Sequence, residues 1–419
     1  MRRPLIPLPF HLQLPSWLRS CRNSCLPFLA CFSCVCLLLA ACGKKNSASQ
    51  ESQPTGPRLK WKCNTRDTSL SHPALSPDGT IYVGAYRSIL AVSPEGKLLW
   101  QTKLGGVLTP VLSDDGAIYL SLRPGLIFGA SRDGQLDWRP GYGLIGFAAP
   151  PALGPDTTLY YQNTVGDINA FQPKSSDKEL WSLETFRKAN LGSSPVLPGS
   201  ARVGVMSTDA TPLVTRAGSI ILPRQSFLDS ISPSGSHEWD LELTSGHLGQ
   251  AALSNDGIIY VGDNEGVLFA ADSSGYKKWR FDSTGSVVGS PVIDQEGVVY
   301  FTTGNAVFAL NPDGNLRWRS AAPSKSGFLT APTLAADGTL YVGAEAALVA
   351  LHPDGTQKWS LHLPSPSSSP SIGPDGTIYF ACGSWVCAVE DSGSPLMPSA
   401  WPKQFHDQAN TSSAQHGTS

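Results

Sequence analysis

The 419-residue sequence is poor in charged residues, which make up 15% of the chain. Its 31 Lys and Arg nearly balance 33 Asp and Glu, for a formal net charge of −2. Neither the basic surplus typical of nucleic-acid binding nor a strongly acidic tail is present. We therefore expect no nucleic-acid partner.

The local motifs of metal, phosphate and nucleophile chemistry are also missing. The 8 histidines are scattered, and the sequence contains no HExxH, no paired Cys-x-x-Cys motifs and no EF-hand loop. A Walker-type phosphate loop and a nucleophile elbow are absent as well. We predict no catalytic residue and no metal ligand, although a site gathered from distant segments would leave no local motif.

Cysteine is scarce outside the N-terminal segment. Of 9 cysteines, five lie within the first 36 residues and Cys42 follows them, which leaves Cys63, Cys382 and Cys387. This count does not indicate a small disulfide-dense scaffold.

The N-terminal segment has the pattern of an export signal. Arginines precede an apolar run from Cys25 to Ala41, which is short for a membrane span. The run ends in Leu39-Ala40-Ala41-Cys42, which resembles the bacterial lipobox. We predict a signal peptide over residues 1–41 and lipidation of Cys42; an ordinary cleavage site or an uncleaved span is the alternative.

Residues 42–58 have the polar composition of a flexible tether. The absence of Asp after Cys42 is typical of lipoproteins sorted to the outer membrane. The expected location is the outer membrane, facing the periplasm or the cell surface, with the membrane contacted through the lipid.

Glycine and proline are abundant, with 41 and 34 residues, and this composition favours short strands joined by tight turns over long helices. Tryptophans recur with a period near 40, which indicates a repeat fold. We predict that they pack between repeats and do not bind ligand: Trp61, Trp100, Trp138, Trp181, Trp239, Trp279, Trp318 and Trp359. A tyrosine follows the first turn in seven of the eight units: Tyr82, Tyr119, Tyr160, Tyr260, Tyr300, Tyr341 and Tyr379.

Each unit divides into four short segments with glycine-containing turns between them. The first unit reads HPALSPDG, TIYVGA, SILAVSPEG and KLLWQTKL. Four antiparallel strands per unit, repeated eight times, predict an all-β, eight-bladed β-propeller over residues 59–393. Because the last unit supplies only three strands, the strand around Trp61 is predicted to close the ring, leaving residues 394–419 as a tail.

Three local features leave alternatives open. The fourth unit carries Pro198-Gly199 in place of its Asp-Gly turn and an insertion between Met206 and Phe227, which marks either function or drift. In the closing blade, Cys382 and Cys387 lie on one face of a hairpin, and either a disulfide or buried free thiols would fit. The aspartates before the turn glycines are predicted to satisfy backbone donors and not to act as bases.

The segments Ala91–Trp100, Ala309–Trp318 and Ala350–Trp359 resemble the tryptophan-docking motif of propellers of the pyrroloquinoline-quinone (PQQ) type. That family includes quinoprotein alcohol dehydrogenases and the lipoprotein of the β-barrel assembly machinery. The Ala-to-Trp spacing is one residue shorter here, and Glu95, Asp313 and Asp354 replace the usual Thr. The tail from Trp401 resembles a segment that flanks such propellers, which makes Trp401, His406 and Asp407 candidates either for a pocket or for a packed cap.

The resemblance implies two classes of function. The enzymes of the family hold PQQ with calcium and have two adjacent cysteines, and the body of this chain has no adjacent cysteine pair. We therefore favour a non-catalytic binding or scaffolding propeller with a protein or glycan partner, in the manner of the barrel-assembly lipoprotein. A PQQ-dependent dehydrogenase or other oxidoreductase using the propeller axis, and a saccharide-binding or sensing propeller, are the alternatives.

Overall fold

The described residues form a ring of eight four-stranded antiparallel sheets, an eight-bladed β-propeller. The computed structural model describes residues 56–122, 126–138, 149–162, 167–173, 178–183, 210–244, 246–323, 327–364, 366–407 and 410–414. Within these ranges the regular structure is strand and turn, with no helix. The prediction of an all-β propeller is confirmed.

The strands follow one another in chain order. The first sixteen are β1 (Arg58–Asn64), β2 (Ala74–Leu75), β3 (Ile81–Gly84), β4 (Ser88–Val92), β5 (Leu98–Lys103), β6 (Val111–Leu112), β7 (Ile118–Leu122), β8 (Leu126–Ala130), β9 (Leu136–Trp138), β10 (Ala152–Leu153), β11 (Leu159–Gln162), β12 (Ile168–Gln172), β13 (Lys178–Leu183), β14 (Leu213–Val214), β15 (Ile220–Arg224) and β16 (Phe227–Ile231). The remaining strands are β17 (His237–Glu242), β18 (Leu248–Leu253), β19 (Ile259–Asp263), β20 (Val267–Ala271), β21 (Lys277–Asp282), β22 (Val287–Ile293), β23 (Val299–Thr303), β24 (Ala306–Leu310), β25 (Leu316–Ala321), β26 (Thr333–Leu334), β27 (Leu340–Ala344), β28 (Ala347–Leu351), β29 (Gln357–His362), β30 (Ser371–Ile372), β31 (Ile378–Cys382) and β32 (Trp385–Glu390).

Blades 1 to 7 each use four consecutive strands, starting from β2, and blade 8 closes the ring. Its strand order is β1-β32-β31-β30, so the N-terminal strand supplies the fourth position. β1 runs antiparallel to β32, with Arg58 opposite Glu390 and Asn64 opposite Trp385. The predicted closure is confirmed, and it covers a sheet edge that would otherwise be open to pairing.

The hydrophobic core lies between adjacent blades. The two middle strands of a blade are buried throughout, as in β19 and β20, whereas the outer strand β21 alternates exposed and half-buried residues. One cluster joins Leu228 of blade 4, Tyr260 of blade 5 and Phe301 of blade 6. Each blade therefore buries its faces against its two neighbours, as radial repeats require.

The fourth blade corrects one prediction from the sequence. Its first turn runs from Thr215 to Ser219 with Gly218 at φ 89°, so Pro198-Gly199 is not that turn. The separation from Leu213 to Trp239 equals that from Ala74 to Trp100 in blade 1. The extra residues of this unit therefore come before β14, within residues 184–209, which lie outside the described ranges. The predicted insertion between Met206 and Phe227 is wrong. The turn was missed because Ala217 replaces its usual Asp.

Among the described residues there is no helix long and apolar enough to cross a membrane.

Candidate functional site

The repeated tryptophans join neighbouring blades. In six of the seven repeated tryptophans whose side chains the structure describes, the indole Nε1 of one blade donates to a carbonyl in the second turn of the next, at 2.7 to 3.0 Å. Examples are Trp61 to Pro94 at 2.8 Å and Trp279 to Pro312 at 2.9 Å. These contacts are structural, and each repeats with the period that the sequence shows.

The glycine of the second turn is required for two reasons. Gly314 has φ +87°, where a side chain clashes with its own backbone, and the Trp279 ring lies over it. A Cβ there would lie 2.7 Å from the ring, and the same crowding recurs between Gly96 and Trp61 at 2.5 Å. In the Gly-x-x-x-Trp pattern, the glycine therefore contacts the tryptophan of the preceding blade. The tryptophan of the same pattern packs on the following blade.

Replacing Gly314 with Ala is expected to destabilise the protein by about 2 to 4 kcal/mol. Left-handed backbone accounts for about 1–2 kcal/mol, and displacement of Trp279 adds the rest as overpacking. Gly257→Ala is the matched control, because Gly257 has φ +82° but a Cβ added there would meet no atom nearer than 3.9 Å. Urea unfolding should show a clearly larger loss for Gly314→Ala. Equal losses would mean that the tryptophan contact contributes nothing.

Two of the eight predicted docking tryptophans are not among the six that the structure shows donating a hydrogen bond to the next blade. The side chain of Trp138 lies outside the described part of the chain. Trp359 packs with the hydrophobic cluster shared by blades 7 and 8, but within the described ranges its Nε1 has no hydrogen-bond partner. The reason is that blade 8 is closed by β1 and has no second turn of the usual kind.

The turn aspartates accept local hydrogen bonds. Asp78, Asp337 and Asp375 each accept from the backbone N–H two residues later, at 3.0 Å. A hydrogen bond from the Ser76 hydroxyl is the largest cause that lowers the pKa of Asp78. These carboxylates are engaged in their turns, which fits the structural role predicted for them.

The structure joins Cys382 and Cys387 in a disulfide, with Cα atoms 6.3 Å apart. Both cysteines belong to the cluster between blades 7 and 8, whereas Cys63 is a buried free thiol in the cluster between blades 8 and 1. The predicted lipidation site Cys42 lies outside the described residues.

The C-terminal tail runs through the centre of the ring, where we call residues 395–407 and 410–414 the C-terminal plug. Its backbone carbonyls accept hydrogen bonds from four blades. In each of these blades the donor is the backbone N–H of the last residue of the first strand. The pairs are Leu153 to Thr411 at 2.9 Å, Val214 to Ser412 at 3.0 Å, Ile293 to Trp401 at 2.8 Å and Leu334 to Pro402 at 2.9 Å. The plug therefore satisfies inner-edge donors that have no partner within their own sheets.

The other four blades contact the plug through side chains. Asn410 Nδ2 donates to the carbonyls of Pro73 at 3.2 Å and Pro110 at 3.3 Å, in blades 1 and 2. Ser369 of blade 8 donates to Gln404 at 2.9 Å, and Trp401 shares a hydrophobic cluster with β18 of blade 5. All eight blades thus converge on one segment.

The three candidate residues of the tail are buried in this plug. Trp401 is 0% exposed, His406 3% and Asp407 7%. The Trp401 Nε1 donates to the Ser290 hydroxyl at 3.2 Å, and its ring lies 4.8 Å from that of His406. Burial opposes ionisation of Asp407, but His406 and the Thr411 donors outweigh it and hold the pKa of that carboxyl below its ordinary value.

A buried lysine lies beside them. Lys403 is 2% exposed, and its Nζ donates to the Asp407 carbonyl at 2.9 Å and to Asn410 Oδ1 at 2.5 Å. Burial lowers the pKa of Lys403 to about 8, against the charge of Asp407, which raises it. Because Lys403 donates to Asp407 and Asn410 inside the plug, it holds the two parts of the plug together.

The plug holds an uncommon backbone conformation. Phe405, His406, Asn410 and Ser412 all have φ between 52° and 73°, in the left-handed region that side chains disfavour. Such a cluster persists only where surrounding contacts determine it. The contacts with eight blades provide that restraint.

His72, next to the plug, should make stability fall in mild acid. Burial, and then the charge of Lys403, lowers the pKa of His72 to about 3 in the folded state. Its ring lies 5.2 Å from Phe405, and its Nδ1 is 3.4 Å from the Thr109 hydroxyl. Since the unfolded chain binds more protons between pH 6.5 and 3, stability rises with pH across that window and is lost as the pH falls.

We expect His72→Gln to remove up to about 1.4 kcal/mol per pH unit from this slope between about pH 6.5 and 5. Asp78, Asp337 and Asp375 in the turns have pKa values lowered from the ordinary 3.8, below that interval. His237→Gln is the control, because His237 is exposed and its ring lies 3.5 Å from the exposed Asp240 carboxylate. Urea denaturation across the interval measures both, and an unchanged slope for His72→Gln would contradict the prediction.

The sequence contains a signal for the plug that the tryptophan and glycine repeats do not reveal. In seven blades a proline stands just before or within the first strand: Pro73, Pro110, Pro151, Pro212, Pro291, Pro332 and Pro370. Proline has no N–H to donate, so it suits an inner edge without a strand partner. Blade 5 carries Ala251 there, and the side-chain amide of the preceding Gln250 pairs with the Thr211 backbone at 2.8 and 3.0 Å.

This part of the axis does not fit PQQ. Where the plug lies, Trp401 and Lys403 are buried and their polar atoms are bonded to the protein, so no group there is free to hold a quinone. Within the described residues, no group of three or more His, Cys, Asp and Glu is placed to hold a metal ion.

These features define a closed eight-bladed propeller of PQQ-like repeats whose centre is filled by its own C-terminal segment. The chain belongs to the family described as outer membrane protein assembly factor BamB, whose model matches residues 45–211 and 225–409. The predicted membership of the PQQ-like propeller family is thereby confirmed.

Solved structures share the fold. BamB from Moraxella catarrhalis is similar to the chain with a TM-score of 0.61 and 14% identity, over 80% of this chain and 99% of that one. The computationally designed Ika8 protein matches with a TM-score of 0.63 and 12% identity, over 79% and 99%. The C-terminal WD40 domain of Sif2 matches with 0.63 and 11%, over 80% and 98%. By sequence, no curated protein matches the chain.

Proposed function

We propose that the chain is a lipid-anchored envelope propeller that acts as a non-catalytic scaffold in outer-membrane protein assembly. Cys42 would carry the lipid, and a protein partner would bind the outer surface of the ring. Residues 43–57 would form the tether, one residue shorter than the sequence suggested, because Arg58 already belongs to β1. Membership of the family described as outer membrane protein assembly factor BamB supports this role.

The observation that carries the proposal is the C-terminal plug. Propeller enzymes that work on the axis need an open funnel there, whereas residues of this plug are bonded to four blades by backbone and contact four more through side chains. The axis is packed interior where the plug lies, which leaves the rim and the faces of the ring for binding. A scaffold uses those surfaces.

The proposal is tested in the source bacterium with three strains: wild type, a deletion of the gene, and Cys42→Ala. We expect the deletion to lower the amount of folded outer-membrane β-barrel proteins, measured by heat-modifiable mobility on gels. Metabolic labelling with an alkyne fatty acid should mark the wild-type chain and not Cys42→Ala, which should leave the outer-membrane fraction.

Two outcomes would oppose the proposal. Unchanged β-barrel levels in the deletion strain would remove the assembly role, and labelling that persists in Cys42→Ala would remove the predicted anchor. Reconstitution of the purified chain with PQQ and calcium provides the enzymatic comparison. Quinone absorbance with dye reduction would favour an oxidoreductase.

A further inference from the structure

A cleft of about 780 Å³ opens between blades 4 and 5. Its apolar wall consists of Ile221, Leu253, Ile259 and one side of Trp239, while Glu238 and Asn255 lie among the polar residues that line it. The cleft lies among the first turns of the two blades, beside Val214, which pairs with the end of the plug, and no function described above uses it.

The cleft occurs where one blade lacks a tyrosine that the other seven have. In those blades the second strand carries a buried tyrosine, no more than 7% exposed. Six of the rings lie 5.6 to 6.1 Å from the tryptophan ring beside them. In blade 4, Ile221 holds this register position, opposite Leu213 and Ser230, so Trp239 has no tyrosine beside it.

Blade 6 shows what the missing ring would contact. Tyr300 lies 5.8 Å from Trp318, and its hydroxyl donates to Asp294 Oδ2 at 2.8 Å. Asp294 is the first residue of its turn, and Thr215 holds that position in blade 4. The Thr215 hydroxyl is buried and has no hydrogen-bond partner among the residues that the structure describes. A buried polar group without a partner is destabilising, and a ligand hydroxyl can supply the missing bond.

Neighbouring residues in blade 4 have changed with the tyrosine. Ala217 replaces the turn aspartate that accepts from the serine at the first turn position in blades 1, 2 and 5. Ser230 replaces the small apolar residue opposite the tryptophan and donates to Glu238 at 2.6 Å. Glu238 also accepts from Ser219 at 3.3 Å, so its carboxylate is held at the mouth of the cleft.

We propose that this cleft binds a peptide segment that presents a tyrosine side chain. The ring would fill the position beside Trp239 that seven blades fill with their own tyrosine, and its hydroxyl would reach the Thr215 hydroxyl. Offset aromatic pairing and burial of the ring supply affinity, while the hydroxyl supplies selectivity. The inference goes beyond the assembly role and does not depend on lipid anchoring.

The first test titrates the purified chain, from residue 43 onward, with blocked pentapeptides of sequence Gly-Gly-X-Gly-Gly by calorimetry. We expect X = Tyr to bind at least about tenfold more tightly than X = Ala, with Phe between them. Equal binding of the Tyr and Ala peptides would overturn the proposal. Maltose and cellobiose are titrated in parallel, and binding of a sugar without discrimination among the peptides would also overturn it.

Two variants locate the binding. Ile221→Tyr restores the ring and should remove peptide binding while the thermal midpoint stays the same or rises; Ile221→Val keeps the vacancy and should bind as the wild type does. Thr215→Val removes the unpartnered hydroxyl and should abolish the preference for Tyr over Phe without weakening Phe binding. Unchanged binding by folded Ile221→Tyr, or an unchanged Tyr preference in Thr215→Val, would contradict this assignment.

Discussion

Deletion of residues 58–64 is expected to abolish the cooperative thermal transition of the propeller. These residues form β1, the outer strand of blade 8, and every one of its strand partners lies more than 300 residues away in the sequence. Without β1 the edge of β32 is exposed, and the Trp61 contacts with Gly96 and the Pro94 carbonyl are lost. Blades 8 and 1 would then no longer be joined at the rim.

The loss should be comparable to the whole stability of an ordinary domain, about 5–15 kcal/mol, because a propeller distributes its core between adjacent blades. Differential scanning calorimetry and urea unfolding followed by tryptophan fluorescence measure it. Deletion of residues 46–52, an equal length of the predicted tether, is the control and should leave the transition unchanged. A sharp wild-type-like transition in the first variant would mean that the ring does not need its closing strand.

The blade architecture was predictable because its determinants are local and repeated. The turn glycines and the tryptophans mark each unit within a few dozen residues, and the shortage of one strand in the last unit indicated that β1 completes it. The fourth blade was harder, since Ala217 and Ile221 replace two of the residues that mark a unit. Both replacements line the cleft, so the irregular unit is also the one with a candidate binding site.

The plug was not predictable in the same way. Its contacts join Asn410 to Pro73 and Pro110, across 300 or more residues, and involve mostly backbone groups that the sequence does not distinguish. A packed cap was one of two interpretations of Trp401, His406 and Asp407, and the structure places all three in buried contacts. The repeated prolines are visible in the sequence. Their role becomes clear only in the structure, which places the first strand of each blade at the inner edge, next to the plug.

Trp401→Ala is expected to destabilise the propeller by about 3 to 5 kcal/mol, the range for deleting a large buried aromatic side chain. Trp401 is 0% exposed, its Nε1 donates to Ser290, and its carbonyl accepts from the Ile293 N–H at 2.8 Å. The cavity would lie where blades 5 and 6 meet the plug. Tyr276→Ala, at a side chain 71% exposed, is the control. That control should change stability by less than about 0.5 kcal/mol.

Hydrogen exchange separates loosening of the plug from a general loss of stability. The amides of Leu153 and Val214 donate to Thr411 and Ser412, which follow Trp401 by ten or more residues. If the plug acts as one unit, Trp401→Ala should speed exchange at these two amides more than at those of β19 and β20. Uniform acceleration across the blades, or a stability loss below about 1 kcal/mol, would show that the blades hold together without it.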